Sequence, residues 1–234
     1  DQSSIFIADS VDVSSLDKWQ RANRGFNFFW PKNTSNDDFE ESLVIANKRL
    51  EQLANQFPDL RSKLDSANVL DVGCGPGRYM YELLKNYKIS SAHGIDSGEE
   101  IIRTNIKRFA SSPNLKFSNG TCRDLSQFNN ETFDIVLSNG VIHHSGEPLD
   151  ICIAEHARVL KMGGKFFVFV YGKGGLELRI WEAMQSLLNT VTMEFFYDYC
   201  SRFIVPKRLQ GLMDHAYGSF YQTSRSQIEN ILKS

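Results

Sequence analysis

The sequence predicts an α/β fold with a doubly wound, mostly parallel sheet. Three observations predict it. Short apolar runs alternate with amphipathic helical stretches over residues 69–171. The first run, Val69-Leu70-Asp71-Val72, passes straight into a glycine-rich turn, Gly73-Cys74-Gly75-Pro76-Gly77, and then into a helix from Arg78. The second run ends on an acid, Asp96, which lies 19 residues beyond Gly77. A strand, a glycine turn and a helix in that order aim backbone N–H groups and a positive helix end at one point. Open α/β sheets bind nucleotide-like ligands there, at the carboxyl ends of their strands.

The glycine spacing narrows the ligand. A dinucleotide fingerprint, G-x-G-x-x-G, would place its third glycine at position 78. Arg78 stands there, and the third glycine comes one place early, at Gly77. This argues against an NAD-dependent oxidoreductase. Asp71 also precedes the first glycine by two residues. The pattern Asp71-x-Gly73-x-Gly75-x-Gly77 resembles motif I of the class I S-adenosylmethionine (SAM) dependent methyltransferases. Asp96, the loop Gly120–Leu125 and the stretch Phe133–Lys165 follow in that family's order. Together the four landmarks cover somewhat under half the chain. The resemblance implies a Rossmann-like sheet of strand order 3-2-1-4-5 and SAM as the cofactor.

Taken in order, residues 1–64 read as an aromatic arm and a helix. Trp19, Phe26, Phe28, Phe29 and Trp30 crowd a polar stretch broken by Pro31. The arm either folds over the ligand or packs on the domain surface. Asp37 or Asp38 can cap a helix whose apolar face is Leu43, Ala46, Leu50, Leu53 and Phe57, ended by Pro58. Residues 65–171 form the core. Strand two is Ser91–Asp96, followed by a helix over Glu99–Phe109. Asp96 either accepts from the ribose hydroxyls, the role the resemblance implies for it with Ser97 beside it, or caps that helix. Strand three is Leu115–Phe117. The loop after it matches a family Gly-Asp-Ala-x-Asp-Leu sequence at Gly120, Asp124 and Leu125. It departs at Thr121 and Cys122, where the family's adenine contact stands; Thr121, Cys122 and Arg123 are the adenine candidates. Strand four, Thr132–Gly140, would end with Ser138, Asn139 and Gly140 beside the methionine moiety. A helix from Leu149, a tight turn over Lys161–Lys165 and a fifth strand, Phe166–Val170, complete the core.

Residues 172–234 break the alternation. Helices are expected over Leu176–Leu188 and Ser224–Leu232, the last with a Ser224/Gln227 capping box, and Met193–Arg202 between them reads as a dense aromatic patch. Phe195, Phe196, Tyr197, Tyr199, Tyr217, Phe220 and Tyr221 make this region aromatic. It reads either as a lid over the substrate site or as a plain packing layer. The terminal hairpin usual in the family is missing from the sequence, so strand five would be an exposed apolar edge. The lid or a second subunit, as in a homodimer, is expected to cover it.

The totals restrict the partners. A net charge of −2 among 234 residues, and an isoelectric point near 6.2, give no global attraction to nucleic acid. No apolar run is long enough to span a membrane, and no signal peptide is evident. Cys74, Cys122, Cys152 and Cys200 form no C-x-x-C pair, which suits reduced cytoplasmic thiols. His143 and His144, just past strand four, are the candidates for a general base; with only Glu147 near them, no metal site is expected. Arg179, Arg202, Lys207, Arg208 and Arg225 either bind an acidic substrate or form a solvated surface. The expected function is methyl transfer from SAM to a small-molecule acceptor. The alternatives are a SAM-binding protein without catalysis and a tRNA-modifying methyltransferase.

Overall fold

The apolar run before the glycine turn forms the middle strand of a five-stranded sheet. This computed structural model describes residues 20, 24, 26–28, 36–146, 149–188, 191–204, 206–217 and 223–233. The first elements are α1 (Asn36–Gln56), α2 (Leu60–Leu64), β1 (Asn68–Val72), α3 (Arg78–Asn86), β2 (Ser91–Asp96) and α4 (Glu99–Arg108). They are followed by β3 (Leu115–Asn119), β4 (Phe133–Asn139), α5 (Leu149–Val159) and β5 (Leu160–Phe169). Then come α6 (Leu176–Leu188), α7 (Met193–Ser201), α8 (Pro206–Tyr217) and α9 (Arg225–Ile231). The strands lie in the order β3-β2-β1-β4-β5, and every pairing is parallel. This is the Rossmann-like arrangement that the sequence predicts. Its order reverses between β1 and β4, which opens a crevice at their carboxyl ends.

Alternation along the strands explains why both faces carry helices. Val69 joins Ala92, Ile135 and Leu137 in a cluster with Leu43 of α1, Met80 of α3 and Ile101 of α4. Leu70 and Val72 join Ile95 and Val136 in a second cluster with Leu149 and Ile153 of α5. Val69, Leu70 and Val72 are wholly buried, each worth roughly 1.5–3 kcal/mol of hydrophobic stabilisation. The glycine turn is thus carried by the most deeply buried strand.

Helix α1 differs from expectation at both ends. It begins at Asn36, so Asp37 and Asp38 fall inside it rather than capping it. Its buried stripe is Phe39, Leu43, Ala46, Leu50 and Ala54. Phe57 lies beyond the helix end and is 55% exposed, because Pro58 disfavours helical backbone at the residue before it. The turn expected over Lys161–Lys165 is instead an irregularity within β5. Leu160 pairs with Phe133 and Lys165 with Ile135, so Lys161–Gly164 bulge out of the ladder. Asp134 holds this corner, accepting from Lys161 Nζ at 2.8 Å and from the Asn68 N–H at 2.9 Å.

The C-terminal helices build a separate small cluster. Met193, Cys200, Leu209 and Met213 pack with Phe26 and Phe28 of the N-terminal arm. Rings join this layer to the sheet: His143 meets Tyr171 at 4.7 Å, Tyr171 meets His215 at 5.6 Å, and His215 meets Trp181 at 4.7 Å. Ser224 and Gln227 form the expected capping box on α9, and Ile228 and Ile231 pack near Val168 and Val170. Among the described residues no strand pairs with the outer edge of β5. An isolated parallel bridge, Gly172 to Thr223, lies just past its end. Trp19, Phe29, Trp30, Pro31, Glu147, Phe220 and Tyr221 lie outside the described residues.

Candidate functional site

The glycine turn is pinned from three directions. The N–H groups of Gly73 and Cys74 donate to the Ile95 carbonyl at 2.8 and 2.9 Å, which fixes the turn to the end of β2. The Gly75 N–H donates to Asp96 Oδ2 at 2.9 Å, and the Gly98 N–H to Asp96 Oδ1 at 2.9 Å. Asp96 therefore braces the turn and the loop before α4 together. It does not cap α4, whose N-cap position is Gly98. From α4, the wholly buried Asn105 donates Nδ2 to the Gly75 carbonyl at 2.7 Å. Gly73 has φ +72°, and a Cβ there would sit 2.3 Å from Val141 Cγ2, so neither the backbone nor the space admits another residue.

One cavity opens at the carboxyl ends of β1, β2 and β4. Its wall brings together these sequence-predicted residues: Asp71, Gly73, Cys74, Gly75, Asp96, Ser97, Thr121, Cys122, Asn139, Gly140 and His144. Gly77, Arg123, Ser138 and His143 stand outside that wall. Gly77 is the left-handed N-cap of α3, and it faces the rings of Phe109 and Phe117. The Arg123 N–H donates to Thr121 Oγ1 at 3.3 Å, while the residue itself borders a shallow surface groove with Asp124 and Arg158. Ser138 and His143 are wholly buried. Strand alternation turns Ser138 inward, and His143 packs behind His144, ring to ring at 4.1 Å.

Several wall residues escaped the sequence reading: Asn27 from the arm, Arg78 and Tyr79 from α3, Val141 and Ser145 from the segment after β4, and Asp214 from α8. Phe26, one of the arm aromatics singled out in the sequence, also lines the wall. Arg78 carried a usable signal, since it opens the helix that follows the glycine turn. Asp214 carried none, because its place depends on how α8 packs. Among the described residues, the basic side chains of the C-terminal region contribute nothing to this wall. Arg179 is exposed, Arg202 pairs with Asp198 at 2.6 Å, and Arg225 pairs with Glu229 at 2.6 Å. The side chains of Lys207 and Arg208 lie outside the described residues.

The electrostatics of the wall are unusual. Asp71 is 2% exposed, and its Oδ2 has no hydrogen-bond partner. Burial pushes its carboxyl up to about 7, with Arg78 pulling the other way. Burial also raises Asp96, opposed by the N–H groups of Gly98, Gly75 and Ser97. Burial lowers the Arg78 guanidinium. Burial, then the neighbouring His144 and His215, pull His143 down to about 2, so it is neutral at physiological pH. Arg49 of α1 donates to Asn139 Oδ1 at 3.0 Å and to the Tyr79 hydroxyl at 3.4 Å, holding the end of β4 in place. The Thr121–Cys122 loop is held from α5: the Leu125 N–H donates to Glu155 Oε2 at 2.9 Å, and Cys122 Sγ lies 3.9 Å from Cys152 Sγ. The sequence treats these two thiols as remote, yet folding makes them neighbours. None of the four cysteines forms a disulfide. Among the described residues no His, Cys, Asp and Glu cluster is able to hold a metal, and no helix is long and apolar enough to cross a membrane.

Comparison with known proteins gives the same picture. Residues 69–164 match a family model described as a methyltransferase domain. The ubiquinone biosynthesis O-methyltransferase of Hahella chejuensis is 31% identical over 163 residues, covering 68% of this chain and 61% of that protein. The ribosomal RNA large subunit methyltransferase E of Brachyspira hyodysenteriae is 28% identical over 156 residues, covering 61% of this chain and 74% of that protein. The chain therefore spans less than two thirds of the first relative's length. The crystal structure of the YcgJ protein from Bacillus subtilis shares the fold, with a TM-score of 0.51 at 20% identity over 72% of this chain and 60% of that one.

Proposed function

The chain belongs to the class I S-adenosylmethionine-dependent methyltransferase family, and from that premise we propose that it transfers a methyl group from SAM to a small-molecule acceptor. The observation that carries this reading is the convergence of Asp71, the Gly73–Gly75 turn, Asp96, Thr121 and Asn139 on one cavity. These residues are widely separated in sequence, and they fit the cofactor from end to end. The glycine turn leaves room for close backbone approach. Asp96 keeps lone pairs for the ribose hydroxyls beyond the two N–H groups it already accepts. Thr121 and the Cys122 backbone edge the adenine end. Asp71, with its unpartnered buried oxygen, offers an acceptor at the methionine end, beside Asn139 and Gly140.

When bound, SAM supplies an activated methyl on a sulfonium, and the protein supplies placement and a dry site. Phe26 and Val141 bring apolar surface to the wall. Phe26 meets the His144 ring edge-on at 4.9 Å, which orients that imidazole. His144 is the base in this reading: it faces the cavity and takes the acceptor's proton. His143 supports it from behind. Residues 1–64 act as an arm, 65–171 as the cofactor domain and 172–234 as a lid. Four cysteines without a disulfide suit a cytoplasmic enzyme.

The ribosomal RNA relative favours a second reading, an RNA acceptor. The net charge of −2 weighs against it, because polyanion binding rests on clustered cations. Calorimetric titration with SAM and S-adenosylhomocysteine tests the cofactor assignment. Asp96→Ala is expected to weaken binding by about tenfold or more, which is about 1.4 kcal/mol. Methyl transfer is then assayed on phenolic, carboxylate and RNA acceptors. Wild-type protein that binds neither ligand would sink the reading. Tight binding with no transfer to any acceptor would leave a SAM-binding protein without catalysis.

A further inference from the structure

Two carboxylates and one guanidinium share the cavity wall, and they come from different layers of the molecule. Asp71 lies on β1, Arg78 opens α3, and Asp214 sits in the last turn of α8. Helix α8 buries Leu209, Met213 and Ala216, and Asp214 borders the cavity. Asp71 Oδ2 and Asp214 Oδ1 are both shut off from solvent, and neither has a hydrogen-bond partner. Burial pushes both carboxyls up to about 7, and Arg78 alone is the cation that counters it at each. Buried carboxylate oxygens without donors are costly unless something arrives to satisfy them. A ligand group that brings a cation to the two carboxylates and an anion to Arg78 would satisfy all three. The smallest such group is an α-amino acid, with its ammonium and carboxylate on one carbon. If Asp96 and Thr121 hold the adenosine, the trio lies where the cofactor's amino-acid end belongs.

We propose that Asp214, together with Asp71, recognises the α-ammonium of the cofactor's amino-acid end, so that cofactor binding ties helix α8 to the glycine turn. This rests on the methyltransferase reading above. Asp214 is then a cofactor-binding residue supplied by the lid, and the lid closes on the cofactor before any acceptor arrives. Met213 and Leu209, buried beside it, make α8 move as one body with the cluster around Met193 and Cys200.

The test uses two ligands that share the adenosine and the thioether. S-Adenosylhomocysteine carries the amino-acid end, and 5′-methylthioadenosine lacks it. Both are titrated calorimetrically into the full chain and its Asp214→Asn variant. The variant is expected to bind S-adenosylhomocysteine about tenfold or more weakly, and to bind methylthioadenosine like the wild type, which also shows that its fold is intact. Hydrogen exchange over residues 206–217 should slow with S-adenosylhomocysteine in the wild type, and neither with methylthioadenosine nor in the variant. Unchanged S-adenosylhomocysteine affinity in the variant overturns the proposal and leaves the methyltransferase reading standing. An equal loss for both ligands also overturns it, since it would mark a structural role. Wild-type protein that binds neither ligand overturns both.

Discussion

The two halves of the cavity wall are built on opposite principles. The core half is backbone: a turn between β1 and α3, tied by N–H groups to Ile95 and to the Asp96 carboxylate. The other half is side chains from distant parts of the chain, Phe26 from the arm and Asp214 from α8. The first half tolerates almost no change, because its groups are held by a fully buried strand and by glycine conformations. The second half rests on a small cluster around Met193, Leu209 and Met213; α7 and the turn after it also carry exposed Phe195, Tyr199 and Phe203. Cofactor affinity should therefore be brittle on one side of the cavity and adjustable on the other.

The largest effect should come from Gly73→Val. The left-handed backbone at this position, and the 2.3 Å approach to Val141, leave no place for a branched side chain. Calorimetry is expected to show S-adenosylhomocysteine affinity reduced by about a hundredfold or more, or roughly 2.7 kcal/mol, with a lower melting temperature. Near-normal affinity would break the contrast between the two halves at its strong end.

A smaller effect should appear in the pH dependence of the ligand-free protein. Asp71 and Asp214 both hold their protons more tightly folded than unfolded, since burial raises each from 3.8 to about 7. The folded state thus binds more protons than the unfolded chain between those values. The stability this adds is present at acid pH and lost as pH rises from about 4 towards 7. Melting temperatures across that window should show this loss, and Asp71→Asn should flatten it. A slope unchanged in the variant would mean that Asp71 is not the buried acid it looks to be.

The smallest effect should come from the outer surface of the C-terminal helical layer. Phe203 is 73% exposed and Tyr199 55% exposed. Replacing Phe203 with Ser should change stability by less than about 0.5 kcal/mol and leave S-adenosylhomocysteine binding unchanged. A clear loss of affinity would show that this outer face reaches the site by some route other than α8.

The sheet and the core half of the site were legible because their signals are local. Val69, Leu70 and Val72, with Gly73, Gly75 and Asp96, announce their places by residue type and spacing, since a tight left-handed turn favours glycine wherever it occurs; Gly77 turns the chain into α3 outside the wall. Even there, legibility stopped at side-chain direction. His143 and His144 are neighbours in sequence, but only His144 reaches the cavity wall, because a short 3-10 turn sends the two rings different ways. Ser138 and Asn139 divide likewise, through the alternation of β4.

By itself, then, the sequence determined the class of fold, the parallel alternation of strands and helices, and the glycine turn that borders the cavity. Backbone conformation and apolar periodicity are written within short windows of chain. Only the tertiary structure decided that Asp214 would enter the wall, that Arg49 would hold Asn139, and that Cys122 would meet Cys152. Those outcomes depend on how whole helices pack, and packing is set by many weak contacts between residues far apart in sequence, so no short window of the chain encodes them.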